Sequence, residues 1–261
     1  LAHCCPLRYA PREPCHAIAH TARMSRHEHP RQYIGRYGAI AFIQDSVARD
    51  QPFYLQISHY AVHSNIEYSE ESFAYFGEQE RGDLHKNQGY AAMVRDLDSA
   101  IGTLMQAYQE MGLAEDTYLI FASDNGGMPV LPMQVNRGRP YAQGLNSPLL
   151  RGKWDLTEGG IRVPFAVVGP GIEPGSQSDT PVVTYDLLPT VSELADAGHA
   201  MPDDLDGGSL AGLLADPTAP VSRPLDALIF HYPHYNRVGM NEPHSAIREG
   251  DYKLIRYPVS D

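Results

Sequence analysis

Apolar and polar positions follow no helical or alternating period over residues 1–31, and become regular from about residue 32. Tyr37, Ile40, Ile43 and Val47 recur at helical spacing, and 52–58 reads as a strand. The polar, acidic stretch that follows, to about Asn87, reads as a loop. Tyr90, Met93, Val94, Leu97, Ile101, Leu104, Met105, Tyr108 and Met111 fall on one face of a long helix, which Gly112 stops. The short apolar run 117–123 predicts a buried strand. It ends at Asp124-Asn125-Gly126-Gly127, a turn signal. A Gly/Pro/Arg-rich loop runs from about 126 to 160, and 163–168 is the next strand. Leu187, Leu188, Val191, Leu194 and Ala195 predict a second amphipathic helix before Gly198. Residues 227–232 and 245–257 read as strands, the second broken at Glu249-Gly250-Asp251.

That order predicts an α/β fold with a parallel or mixed sheet flanked by helices, and a small antiparallel C-terminal sheet packed on it. Three regions follow: an atypical arm at 1–31, an α/β domain at 32–220 and a C-terminal subdomain at 221–261. The arm holds all three Cys (Cys4, Cys5, Cys15), so no disulfide framework is expected in the main body. The net charge of −12 argues against a general binder of nucleic acid or anionic membrane. No apolar run reaches the length of a membrane span. The chain opens at Leu1 with neither Met nor a secretory signal pattern, which suggests a processed chain or a fragment.

Candidate chemistry gathers at strand ends, where ligands bind in open α/β sheets. Asp124 and Asn125 offer hard oxygen donors suited to Ca²⁺ or Mg²⁺, although an ordinary Asx turn has the same look. The loop from Gly126 to Trp154 has no Asp or Glu but carries Arg137, Arg139, Arg151 and Lys153. This positive island in an acidic chain would attract a sulfate or phosphate ester. His59 and His63 lie just past the strand at 52–58, placed to act as general acid or anion ligand, or to serve only structure. No serine-hydrolase elbow, P-loop or dinucleotide fingerprint is present, and the spacing of Cys4, Cys5, Cys15, His16 and His20 matches no zinc pattern.

Together the motifs resemble the sulfatase family of the alkaline-phosphatase-like superfamily, from about residue 33 onward. The resemblance rests on Tyr90-Ala-Ala-Met-Val94, Ser123-Asp-Asn-Gly-Gly127, and Asn146-Ser-Pro-Leu149 leading into Arg151-Gly-Lys153. It continues through Glu158-Gly-Gly-Ile-Arg-Val-Pro164, Gly169-Pro-Gly171, Asp186-Leu-Leu-Pro-Thr190, Asp206-Gly-Gly-Ser-Leu210 and Gly250-Asp-Tyr-Lys-Leu254. It implies that Asp124 and Asn125 form half of a Ca²⁺ site, and that Lys153 holds a sulfate oxygen. His63, in Ala61-Val62-His63-Ser64 with Val62 where the family has Pro, would contact sulfate or protonate the leaving oxygen. Glu158, Gly159, Gly160 and Arg162 would shape the loop that holds Lys153. The substrate implied is a sulfated small molecule or carbohydrate, and the compartment periplasmic, secreted or lysosomal.

The family's nucleophile is a formylglycine made from Cys or Ser, and its calcium site includes a paired-Asp half. No Asp-Asp pair precedes His63. Cys4-Cys5-Pro6-Leu7-Arg8 has the outline C-x-P-x-R, with Leu7 where the family has a small residue, and it stands much nearer His63 than the family's spacing. Cys4 and Cys5 are nucleophile candidates by outline alone, and an incidental role is the favoured reading. The expectation is a C-terminal portion of a sulfatase, inactive by itself. A phosphoesterase or phosphonate hydrolase of the same superfamily, and a non-catalytic anion-binding module, are the competing readings.

Overall fold

The computed structural model describes residues 19–23, 32–63, 66–83, 85–129, 146–197, 201–236 and 241–258. They divide into two compact units. One comprises the chain up to Arg81 with Asn87–Gly112, the other Gly82–Lys86 with Leu113–Asp261. The division falls after Gly112, well before residue 220 where the sequence pattern changes.

The first unit opens with strand β1 (Ala19–Arg23), inside the stretch where the sequence shows no period. Helix α1 (Gln32–Ala48) follows and leads to β2 (Tyr54–Ser58), which pairs parallel with β1 from Ala19↔Tyr54 to Arg23↔Ser58. A parallel pair needs a crossover of about this length, which α1 provides. Among the described side chains of α1, from Gly38 onward, the buried positions are Ala39, Ile43 and Ser46. Of the expected stripe, the Tyr37 side chain lies outside the described ones, Ile40 is half-buried, Ile43 is buried and Val47 is exposed. Ser46 enters the core because its hydroxyl donates to Phe42 O at 2.9 Å, which removes the cost of burying it. The expected loop before Asn87 contains helix α2 (Glu70–Gly77). Ser69 caps it by accepting from Ser72 N–H, and Glu70 and Glu71 complement the positive helix terminus. Helix α3 (Gln88–Glu110) is capped by Asn87, which accepts from Tyr90 N–H at 2.8 Å. Gly112, at φ 71°, ends it in the left-handed region that favours glycine. Its core face is Ala92, Met93, Ala100 and Tyr108, narrower than the expected one, since Val94 and Met105 face solvent. Asp96 of α3 joins the two helices by accepting from Ser69 N–H and from the hydroxyls of Ser69 and Ser72.

The second unit begins with β3 (Leu119–Ala122), paired antiparallel with β4 (Phe165–Val168). The expectation of a buried strand at 117–123 is corrected here, because no residue of β3 is buried and Phe121 is 37% exposed. Among the described residues β4 is the one strand neighbour of β3. Between them lies the one-turn helix α4 (Glu158–Ile161). Helix α5 (Leu187–Leu194) follows a 3₁₀ turn at Thr184–Asp186, and α6 (Ala211–Ala215), which the sequence pattern does not mark, comes next. Buried Asp186 ties these pieces together. It accepts from Val183 and Gly208 N–H and pairs with both Nε and a terminal nitrogen of Arg223. Strands β5 (Leu228–Tyr232), β6 (His244–Glu249) and β7 (Tyr252–Arg256) form an antiparallel meander. The turn at Gly250 takes φ 54°. Ile229, Ile247 and Leu254 stand opposite one another along one face of this sheet and are all exposed.

Candidate functional site

Strand β3 delivers Ser123–Gly127 at its carboxyl end. Ser123 Oγ donates to Asn125 O at 2.9 Å, and Asn125 Nδ2 donates to Gly126 O at 3.0 Å. These bonds fix the turn and leave Asn125 Oδ1 as an acceptor. Asp124 is exposed, and its carboxylate has no hydrogen-bond or ion-pair partner among the described residues.

The loop bearing Lys153 folds back on this turn. Lys153 N–H donates to Gly127 O at 2.9 Å, and Gly126 N–H donates to Gly160 O at 2.8 Å. Asn146 Nδ2 bridges the two segments, donating to Gly127 O at 3.1 Å and to Arg151 O at 2.7 Å. The approach is close enough to require glycine. A Cβ on Gly126 would strike Gly159 O, and one on Gly160 would strike Asp155 O and Gly152 O. The backbones that carry Asp124-Asn125 and Lys153 are thus adjacent by construction.

Lys153 is half-buried, and its ammonium makes no ion pair with a described residue. Arg151, counted in the same positive island, pairs with Asp155 at 2.6 Å. Arg137 and Arg139 lie outside the described residues. Asp155 is buried, and burial by itself would push its carboxyl up. The hydrogen bonds from Arg151 and Thr157, with the nearby guanidinium charge, outweigh this and hold it below the usual carboxylate range. Arg151 and Trp154 sit at φ 58° and 76°, a region that costs a non-glycine residue about 1–3 kcal/mol. Glu158 pairs with Lys253 of β7 at 2.9 Å, Gly159 N–H donates to Leu150 O, and Arg162 N–H donates to Glu158 O.

His59 and His63 follow β2 in the first unit. His63 is exposed, its N–H donates to Tyr60 O at 2.9 Å, and its ring lies 5.7 Å from that of Tyr60. The Ala61–Val62 peptide is cis. Burial pushes the His59 imidazolium pKa down, so this side chain is neutral at pH 7 and poorly suited to hold an anion by charge. Cys4, Cys5 and Cys15 lie outside the described residues, so no described cysteine stands as a nucleophile. Among the described residues no group of three or more His, Cys, Asp or Glu is placed to hold a metal. Asp124 and Asn125 do fit as two donors to a hard cation: a carboxylate without a described partner beside an anchored amide oxygen.

Three residues that sequence reasoning passed over shape this loop: Asp155, Asn241 and His244. Asn241 Nδ2 donates to Trp154 O at 2.5 Å and to Asp155 Oδ2 at 3.2 Å. His244 Nε2 accepts from Leu156 N–H at 3.1 Å. The one available signal was Asp155 itself, the first acid after an acid-free stretch.

Comparison with known proteins places the chain. The family model "Sulfatase" matches residues 37–197, and the model "N-sulphoglucosamine sulphohydrolase, C-terminal" matches 152–260. A sulfatase of Formosa agariphila is 33% identical over 234 residues, covering 83% of this chain and 40% of the relative. Human arylsulfatase A is 35% identical over 224 residues, covering 84% and 39%. The solved structure of Ps i-CgsB in complex with k-i-k-neocarrahexaose superposes with a TM-score of 0.68 at 25% identity, covering 86% of this chain and 46% of that one. The chain therefore spans about 40% of the length of these curated relatives. The fold is α/β of the alkaline-phosphatase-like kind, as the sequence implied. The model match covers more than half of the residues, and the chain belongs to the sulfatase family.

Proposed function

We propose that this chain carries the sulfate-holding side of a sulfuric ester hydrolase, with Lys153 as anion ligand and Asp124 and Asn125 as part of a Ca²⁺ site. One observation supports this above the rest. Asp124 and Lys153 lie on loops joined by a backbone hydrogen bond, yet neither pairs with the other or with any described residue. Groups of opposite sign on adjoining backbones, both without a described partner, suit a ligand carrying both signs, a cation with its anion.

The roles follow from the chemistry of each group. Lys153 gives three donors and a positive charge to the sulfate oxygens, and more as charge grows on them. His63 is assigned to the leaving oxygen, where it would donate a proton to the departing alcohol. Asp124 and Asn125 would hold part of the Ca²⁺ ion, which when bound draws charge from the sulfate oxygens. The family's formylglycine would supply the nucleophile. A sulfated carbohydrate is the proposed substrate, in keeping with the neocarrahexaose named in the Ps i-CgsB complex. A periplasmic, secreted or lysosomal setting is proposed on family grounds. No described helix is long and apolar enough to cross a membrane.

Calorimetric titration of inorganic sulfate in the presence of Ca²⁺ tests the reading. Lys153→Ala should weaken sulfate binding by about 10- to 100-fold, the loss expected for a charged hydrogen bond. Equal affinity in wild type and Lys153→Ala would remove Lys153 from the site. Tighter binding of phosphate than of sulfate would move the protein to the phosphoesterase branch of the superfamily.

A further inference from the structure

The turn around Lys153 is held in an unfavourable conformation, and the device that holds it comes from far along the chain. Arg151 and Trp154 bracket Gly152-Lys153, and both are non-glycine residues in the left-handed region. Such conformations persist only where the surroundings over-determine them. Here a single amide reaches both. Asn241 Nδ2 donates to the Trp154 carbonyl at 2.5 Å, and also to Asp155 Oδ2 at 3.2 Å. The same Oδ2 takes the Arg151 guanidinium at 2.6 Å, while Oδ1 accepts from Thr157 N–H at 2.7 Å. Asn241 therefore fixes Trp154 directly and Arg151 through Asp155. Asn241 is 7% exposed and Asp155 2%, so water has little access to replace these bonds.

The neighbouring contacts support the same turn. His244 is fully buried, and its Nε2 accepts from Leu156 N–H. Its Nδ1 lies 2.6 Å from Glu242 O, which together with the Leu156 bond assigns the proton to Nδ1. Tyr257 stacks on this ring at 5.1 Å. The backbone of Asn241 is held separately, through reciprocal bonds with Asn236 at 2.8 and 2.9 Å. The Asn241 side chain can thus be changed without releasing its backbone.

We propose that Asn241 is a positioning residue for Lys153. It sets the left-handed turn that aims the ammonium, and it does not itself touch the anion. The proposal rests on the reading of Lys153 as the anion ligand.

The test titrates inorganic sulfate, with Ca²⁺ present, into the full 261-residue chain and its variants. Asn241→Ala should lose at least roughly tenfold in affinity, since misplacement of a binding group by about 1 Å is costly. Lys153 N–H, bonded to Gly127 O, should exchange faster in this variant, while the amides of the β6–β7 ladder keep their protection. A merely structural role would not produce that local pattern. A double-mutant cycle with Trp154→Gly gives the sharper readout. Glycine adopts a positive φ without strain, so the tether becomes redundant and Asn241→Ala should cost far less affinity in the Trp154→Gly background. Should Asn241→Ala fail to fold, Asn241→Ser carries the test. It keeps a donor but is too short to span both partners, and the same loss is expected. Wild-type affinity in a folded Asn241→Ala or Asn241→Ser protein, or strict additivity in the cycle, would overturn the proposal while Lys153→Ala still weakens binding. Unchanged binding in Lys153→Ala would instead overturn the reading of the site.

Discussion

Asp155 shows how much of the Lys153 loop depends on groups outside the proposed anion and cation ligands. It is a buried carboxylate kept ionised by Arg151 and Thr157. Its pKa is lower in the folded protein than the ordinary 3.8, so its contribution to stability is complete above that value and fades as pH falls through the depressed one. Asp155→Ala should cost about 2 kcal/mol at pH 7. The loss is smaller than for a fully buried pair because the Arg151 side chain is 42% exposed and can return to water. Urea midpoints for both proteins from pH 7 down to pH 3 check the sign, and the gap should narrow as the solution becomes acid. A gap that stays constant would mean that the Asp155 charge plays no part. The sequence marks Asp124, Asn125 and Lys153 because each sits in a contiguous motif after a strand or within the charged loop. It does not mark Asn241 or His244, since their partners lie 86 to 88 positions away and no periodicity spans that distance.

Two glycines show that packing at the level of the element, rather than composition, decides what a glycine is for. Gly160 sits in α4, where an added Cβ would collide with the carbonyls of Asp155 and Gly152. Gly160→Ala should cost about 3 kcal/mol through overpacking. Gly102 lies within α3, and a Cβ there would meet nothing within 4 Å. Gly102→Ala should therefore stabilise by about 0.5–1 kcal/mol. Thermal melting of both variants gives the comparison, and shifts of the same sign would contradict the account. The two long helices and six of the seven described strands were legible from their apolar spacing. The buried stripe of α1 was not, because it uses Ala39 and Ser46, which no hydrophobicity pattern selects. Helix α2 was hidden in an acidic stretch that looked like a loop. Its signal was the cap, Ser69 ahead of Glu70 and Glu71, rather than its apolar content. Strand β1 carries no alternation, and it is its parallel partner β2 that defines it.

Over the whole molecule, a net charge of −12 makes cation binding favourable and anion binding dependent on local arrangement. With Asp124 and Asn125 as the described donors, Ca²⁺ should bind weakly, on the order of millimolar. Saturating Ca²⁺ should raise the melting midpoint by mass action, and a chelator should reverse the rise. Asp124→Ala should abolish the rise without lowering the midpoint of the calcium-free protein, because the carboxylate has no described partner to lose. Differential scanning calorimetry distinguishes this from a general ionic-strength effect by running Mg²⁺ alongside. The clamp on the Lys153 turn has a consequence in time as well as in space. Trp154 and Asn241 are 87 residues apart, so the two ends of that contact leave the ribosome roughly 4 to 17 s apart at ordinary rates of translation. For that interval the nascent chain holds Lys153 without the Asn241 amide that tethers the Trp154 carbonyl. A stop codon anywhere between Ile161 and Asn241 would make the interval permanent, and the shortened polypeptide would keep each residue of the loop up to Gly160 while losing the tether proposed to aim Lys153.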